Sequence, residues 1–251
     1  MLKTIEPEFF KNGDYSYDTP FPSLENVMFD NMSSWEVWHH PHESYASFPV
    51  LMSLVITNCP RLQGNLPTHL PASVTIEIEG CNQLTSSLPR APSIHRLVIR
   101  ESNKVALRKL PLSLKELRIK GRETTESIFE AMKITLPTSL RTLDIRNCSS
   151  EISFPGDCLP ASLKSLYIQN CRNLNFSKQS QSHQHEWLHY LCIDRSCDSL
   201  ITLSLDTFLN HNHLFIRNCE NIKCLSSSKV LQNLVDIEIR ECPKFVSFPR
   251  E

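Results

Sequence analysis

The chain has 251 residues, 40% of them hydrophobic and 21% charged, with a formal net charge of −1. That balance supplies a folded core and argues against charge-driven binding to nucleic acid or anionic membrane, while only 5 glycines, with no G-x-x-x-x-G-K-[ST] and no G-x-G-x-x-G, argue against nucleotide binding. The start, Met1-Leu2-Lys3-Thr4-Ile5-Glu6-Pro7-Glu8, lacks an apolar leader and no long apolar run follows, so the 10 cysteines read as free thiols of a cytoplasmic (intracellular) protein.

In chain order, residues 1–22 read as an incomplete entering repeat and 23–251 as successive repeats. Their strands start near 24, 51, 74, 94, 114, 140, 163, 188, 211 and 234. The clearest copy is Leu163-x-x-Leu166-x-Ile168-x-x-Cys171, and the same nine-residue frame opens at Leu51, Leu140 and Leu234. Degenerate copies open at Leu24, Ile94, Leu114 and Leu188, and at His211 with histidine in the first apolar place. A further copy, Val74/Ile76/Ile78/Cys81, is one residue short. A period of twenty-odd residues identifies a leucine-rich repeat, whose first, fourth and sixth places point inward while the places between face out of a parallel sheet. The expected fold is a β-rich α/β repeat: a leucine-rich-repeat solenoid with a parallel concave sheet of about ten short strands and mostly irregular convex arms. The cysteines closing the frame (Cys59, Cys81, Cys148, Cys171, Cys219 and Cys242) should form a buried column of free thiols.

The return arms account for the prolines. Leu-Pro or Phe-Pro recurs at Pro67, Pro71, Pro89, Pro111, Pro137, Pro155, Pro160 and Pro249, where a fixed φ suits extended, non-helical chain. The first arm is lengthened by Trp35-Glu36-Val37-Trp38-His39-His40-Pro41, whose tryptophans either cover the edge of the coil or dock on another module. Ile128, Phe129 and Met132 at helical spacing predict a short convex helix from Thr124 to Ile134, and Ser177 to His185 reads as a polar loop.

Two features resemble catalytic chemistry. His185-Glu186-Trp187-Leu188-His189 is a literal H-E-x-x-H, which on a helix would put two zinc-binding histidines beside a general base. Here Leu188, Leu191 and Ile193 read as a strand, whose pleat separates residues four apart too widely for one zinc. A looser metal set would join His183, His185, His189, Cys192 and Cys197. Cys192 itself takes an outward strand position, where reactivity would need a neighbouring cation. No metal, cofactor or enzyme activity is expected.

Stacking the repeats puts Arg100, Lys120 and Arg146 in one outward column, continued by Gln169, Asp194, Arg217 and Arg240. The adjacent column runs Glu77, Val98, Arg118, Asp144, Tyr167, Cys192, Phe215 and Glu238. Arg100, Arg118, Lys120 and Arg146 would then form a basic patch beside the aromatics Tyr167 and Phe215, a composition suited to binding an acidic protein surface.

Several phrases are specific. Leu2-Lys3-Thr4-Ile5-Glu6-Pro7-Glu8-Phe9-Phe10, Trp35-Glu36-Val37-Trp38 and Asn58-Cys59-Pro60-Arg61-Leu62-Gln63-Gly64-Asn65-Leu66-Pro67 resemble the C-terminal leucine-rich repeats of plant coiled-coil nucleotide-binding immune receptors, the CNL-type disease resistance proteins. The resemblance implies a protein-binding module for pathogen effector recognition and autoinhibition, its partner an effector or the receptor's own nucleotide-binding module. That module has no counterpart in these residues, so the family's nucleotide switch transfers to none of them. The frame stops at Phe248-Pro249-Arg250-Glu251, where the family's pattern continues, and the array reads as truncated. Alternatives are a substrate-receptor repeat domain of a ubiquitin ligase and, remotely, a zinc hydrolase using His185 and His189.

Overall fold

A computed structural model describes residues 3–5, 21–39, 48–102, 105–107, 109–135, 138–149, 151–154, 160–176, 187–206, 212–228 and 230–248. Ten five-residue strands form a single parallel sheet in chain order: Asn26–Asp30, Ser53–Thr57, Thr75–Glu79, Arg96–Arg100, Glu116–Lys120, Thr142–Arg146, Ser165–Gln169, Tyr190–Asp194, His213–Arg217 and Asp236–Arg240. Each strand is the heart of one frame. Its fourth and sixth places stack on the same places of the neighbouring coils, as in Leu143 beside Leu166 and Ile145 beside Ile168. From Leu54 to Ile216 these residues are at most 1% exposed. A full leucine or isoleucine buried this way contributes about 1.5–3 kcal/mol of transfer free energy, so the stack itself selects the register.

The short copy is absorbed in an unexpected way. Thr75 pairs with Ser53 and Ile76 with Leu54, which puts Ser73, not Val74, in the first inward place. Ser73 is fully buried and its hydroxyl donates to the Leu51 carbonyl at 2.8 Å. The frame from Ser73 to Cys81 is therefore full length and is entered by the same turn as its neighbours, the Ser73 N–H donating to the Leu70 carbonyl at 3.2 Å as that of Ile94 does to Ala91; a satisfied hydroxyl replaces the leucine there.

Two further places repeat with physical regularity. The eighth place is left-handed in every coil: Asn31, Asn58, Gly80, Glu101, Gly121, Asn147, Asn170, Arg195, Asn218 and Glu241 all have positive φ. This turn aims the eighth N–H along the solenoid, where Asn170 donates to the Asp194 carbonyl and Asn218 to the Arg240 carbonyl, each at 2.9 Å. Asparagine tolerates such φ better than other side-chain-bearing residues, which is why a chain with only 5 glycines can turn ten times.

The ninth place is a ladder of small hydrogen-bonding side chains. Cys171 Sγ lies 3.3 Å from its own strand's Gln169 carbonyl and 3.7 Å from Ile145 O of the previous coil, and it accepts the Cys148 N–H at 3.4 Å. Ser102 and Ser196 take the same place with the same pattern, accepting the N–H groups of Cys81 and Cys171 at 3.1 and 2.9 Å. The column is therefore of thiols and hydroxyls together. Cys59, Cys81, Cys148 and Cys171 are fully buried, Cys219 is nearly so and Cys242 is half-buried; the described cysteines are free. Burial pushes the Cys171 thiol up to about 12 and that of Cys219 to about 11. These are structural groups, held neutral by the low dielectric around them.

The convex arms are more ordered than an irregular return. Neighbouring arms pair in parallel as Thr4–Ile5 with Val37–Trp38, Ser86–Ser87 with Val105–Ala106, Ile152–Phe154 with Leu174–Phe176, and Thr202–Ser204 with Cys224–Ser226. One arm carries the expected helix, at Arg122–Ile134, burying Thr124, Thr125, Ile128, Phe129, Ala131 and Met132. The first arm's tryptophans belong to the core. Trp35 is fully buried, Trp38 nearly so, and their rings pack within 4.5–5.6 Å of Phe29 and of each other.

Candidate functional site: the concave sheet

The strand pairings place the outward residues in straight columns, about 4.8 Å from coil to coil. Arg100, Lys120, Arg146, Gln169, Asp194, Arg217 and Arg240 follow one another in the seventh place. Val98, Arg118, Asp144, Tyr167, Cys192, Phe215 and Glu238 do so in the fifth. All eight residues singled out from the sequence (Arg100, Arg118, Lys120, Arg146, Tyr167, Phe215, Arg217 and Arg240) thus lie on one face.

Their charge differs from the expectation. Arg146 grips Asp144 with two bonds of 2.8 and 2.9 Å, and Asp144 is 3% exposed. That hydrogen bonding raises the Arg146 guanidinium above its ordinary value. Glu116 accepts from both Arg96, at 2.6 Å, and Arg118, at 2.5 Å. Arg100 pairs with Glu79 at 3.1 Å, and Lys120 with Glu101. Arg217 holds Glu238 through bonds of 2.9 and 2.6 Å, which lower that carboxyl, and Arg240 meets Glu241 at 3.3 Å. The patch expected to be basic is therefore a lattice of ion pairs, because the third, fifth, seventh and eighth places supply carboxylates within reach of the cations. Val98, between Glu77 and Arg118 in the fifth place, is fully buried although it points outward. Near the strand exits, Arg100, Lys120, Arg146 and Arg195 line an open polar hollow of about 420 Å³ with Asn147 and Asn170.

The aromatic part is larger than the sequence reading. Tyr190 and His213, in the third place, join Tyr167 and Phe215 of the fifth. Ring centroids are 4.8 Å apart for Tyr167 and Tyr190, 5.1 Å for Tyr190 and Phe215, and 6.1 Å for Tyr190 and His213. His213 stacks nearly parallel to Phe215 at 6.5 Å and meets Asp236 at 3.0 Å; the Arg217 guanidinium sits 5.1 Å from the Phe215 centroid. Such contacts each add about 0.5–1.5 kcal/mol to the burial term, so the four rings form a preorganised, half-buried platform. Reading the third-place column Ser165, Tyr190, His213 from the sequence would have found it.

Cys192 lies between Tyr167 and Phe215 within this platform. Burial raises its thiol despite the opposing field of Arg217, which favours the neutral form. Of the H-E-x-x-H sequence, His185 and Glu186 lie outside the described residues, as do His183, His40, Cys158 and the Ser177 to His185 segment. His189 enters the strand, its N–H donating to the Lys164 carbonyl at 2.9 Å. Cys192 faces outward and Cys197 is buried. Among the described residues no group of three His, Cys, Asp or Glu side chains is placed to hold a metal. No helix among them is long and apolar enough to cross a membrane.

Comparison with known proteins points the same way as the frame. The disease resistance RPP13-like protein 1 of Arabidopsis thaliana is 36% identical over 87 residues, 33% of this chain and 8% of that protein. A second Arabidopsis thaliana disease resistance protein is 36% identical over 81 residues, 32% of this chain and 6% of its own length. The chain thus spans less than a tenth of the curated relatives it matches. No family model matches, and no solved structure matches. In frame, fold and sequence, the chain is a leucine-rich-repeat solenoid similar to part of plant disease resistance proteins.

Proposed function

We propose that the chain is the protein-binding repeat region of an intracellular plant immune receptor, and that it works by recognition, not catalysis. Its concave sheet engages a pathogen effector or the receptor's own nucleotide-binding module, serving detection and autoinhibition in the defence response. The observation that carries this reading is the platform of Tyr167, Tyr190, His213 and Phe215 on the open face of the sheet. Rigid, half-exposed aromatics flanked by arginines are the composition of binding hot spots. The ion-pair lattice around them adds little net charge, so affinity comes chiefly from the rings. The likeness to disease resistance proteins supplies the biological setting.

The test is a receptor carrying this repeat region, expressed in leaf tissue, with Tyr190→Ala and Phe215→Ala introduced together. Either the triggered cell-death response is lost or the receptor fires without a trigger, at unchanged protein level. A receptor that responds normally with both rings removed would refute the proposal.

A further inference from the structure

We propose a second interaction surface, distinct from the concave face: the strand-entry rim docks an acidic helical segment of a partner protein. The second place of the frame lies just before each strand and faces outward. Over five successive coils it holds His95, Lys115, Arg141, Lys164 and His189. Main-chain bonds fix their order. The N–H of Lys115 donates to the His95 carbonyl, that of Arg141 to Lys115 and that of Lys164 to Arg141, each at 2.8 Å, and that of His189 to Lys164 at 2.9 Å.

This row differs from the arginines and lysine within the ten strands, which are all paired. Lys115, Arg141 and Lys164 are exposed, and no carboxylate among the described residues pairs with any of them. Over these five coils the neighbouring third place holds one acid, Glu116, and it is already held by Arg96 and Arg118. On the other side the row is bordered by Ser113 and Ser162, whose hydroxyls turn to the carbonyls of Ile94 and Leu140 at 2.7 and 2.8 Å. Three charges without a carboxylate partner among the described residues therefore stand in a line at about 4.8 Å per coil, with an imidazole at each end.

The spacing selects the partner. Carboxylates three and four residues apart on a helix lie about 5–6 Å from one another, nearly in step with the coils. Same-face residues of a strand recur at about 6.6 Å and fall out of step after two coils. A nucleic acid or lipid surface would gain little from a row of three on a chain of net charge −1. The fit is to an amphipathic helix with glutamates or aspartates along one face.

The experiment uses the full chain and a fluorescein-labelled, alanine-rich helical peptide with four glutamates on one face, read by fluorescence anisotropy. Binding is expected to weaken at least about tenfold in the triple variant Lys115→Glu, Arg141→Glu, Lys164→Glu and to fall with rising salt. It should be unchanged by Tyr190→Ala with Phe215→Ala, so this surface and the concave one fail separately. The proposal is overturned by any of four results. These are no binding to the unaltered chain, equal binding by the triple variant, equal binding of a peptide with its glutamates scattered around the helix, or preferential binding of single-stranded DNA or phosphatidylserine vesicles.

Discussion

Replacing Leu143 by alanine is expected to cost about 2–5 kcal/mol of stability, while Ile237→Ala costs less than about 1.5 kcal/mol. The two aliphatic residues hold the same fourth place of the same frame, and what sets them apart is what lies on either side. Leu143 is fully buried between Leu117 and Leu166. Ile237 stacks on Leu214 alone and remains 39% exposed. In a globular core the cost follows the side chain; in a solenoid it follows the number of occupied neighbours. Urea unfolding followed by far-UV circular dichroism reads both values, and equal losses at the two positions would contradict coil-by-coil stacking.

The left-handed eighth place gives the second large effect, and its sign depends on the residue. Asn170 has φ 53°, and valine there should cost about 1–3 kcal/mol, because its branched Cβ clashes in this region. The change also removes the bond from the Asn170 amide to Asn147 Oδ1 at 3.0 Å. Arg195, at φ 48°, bears the same conformation without a favourable side chain, so Arg195→Gly should gain about 1 kcal/mol. Thermal unfolding of both variants checks the pair of opposite signs. Gly80 cannot be exchanged so freely: at φ 67° an added Cβ would stand 3.2 Å from Asn58 Oδ1 and 3.4 Å from Asn58 Cα.

Much of this architecture is legible in the residues because inward places are redundant. Leu166, Ile168 and Cys171 announce one coil, and copies of the same triplet announce the rest, so the column order Arg118, Asp144, Tyr167, Cys192, Phe215 follows directly. Substitutions that preserve a role while changing residue type are less visible. Ser102 and Ser196 stand in the ninth place because a hydroxyl accepts the same N–H as a thiol, and Ser73 stands for a leucine once its hydroxyl finds a carbonyl. The scarce glycine suggests a coil without special turns, whereas all ten coils make one, with asparagine at five of them and glycine at two.

The candidate site was harder to read for a different reason. Charge on a face depends on reach across columns, so Arg118 looks free until Glu116, two residues earlier, is seen to hold it. Likewise Tyr190 and His213 enter the aromatic platform only when the third-place column is read beside the fifth. The helix Arg122–Ile134 was visible through Ile128, Phe129 and Met132, but its first turn begins where the ninth-place cysteine would stand, at Arg122.

Everything proposed for the concave face depends on the strands lying in the stated register, and engineered cysteines test that directly. Thr142 and Ser165 are register partners on the outward face, at a spacing of about 4.8 Å that lies within the range a disulfide can bridge. Thr142 and Tyr167 are diagonal, at about 8 Å, beyond that range. Mild oxidation of Thr142→Cys with Ser165→Cys, mapped by peptide mass spectrometry, should give the bridged peptide pair, while Thr142→Cys with Tyr167→Cys should not. A bridge in the diagonal pair, or none in the matched pair, would contradict the register and with it the assembly of Tyr167, Tyr190, His213 and Phe215 into one surface.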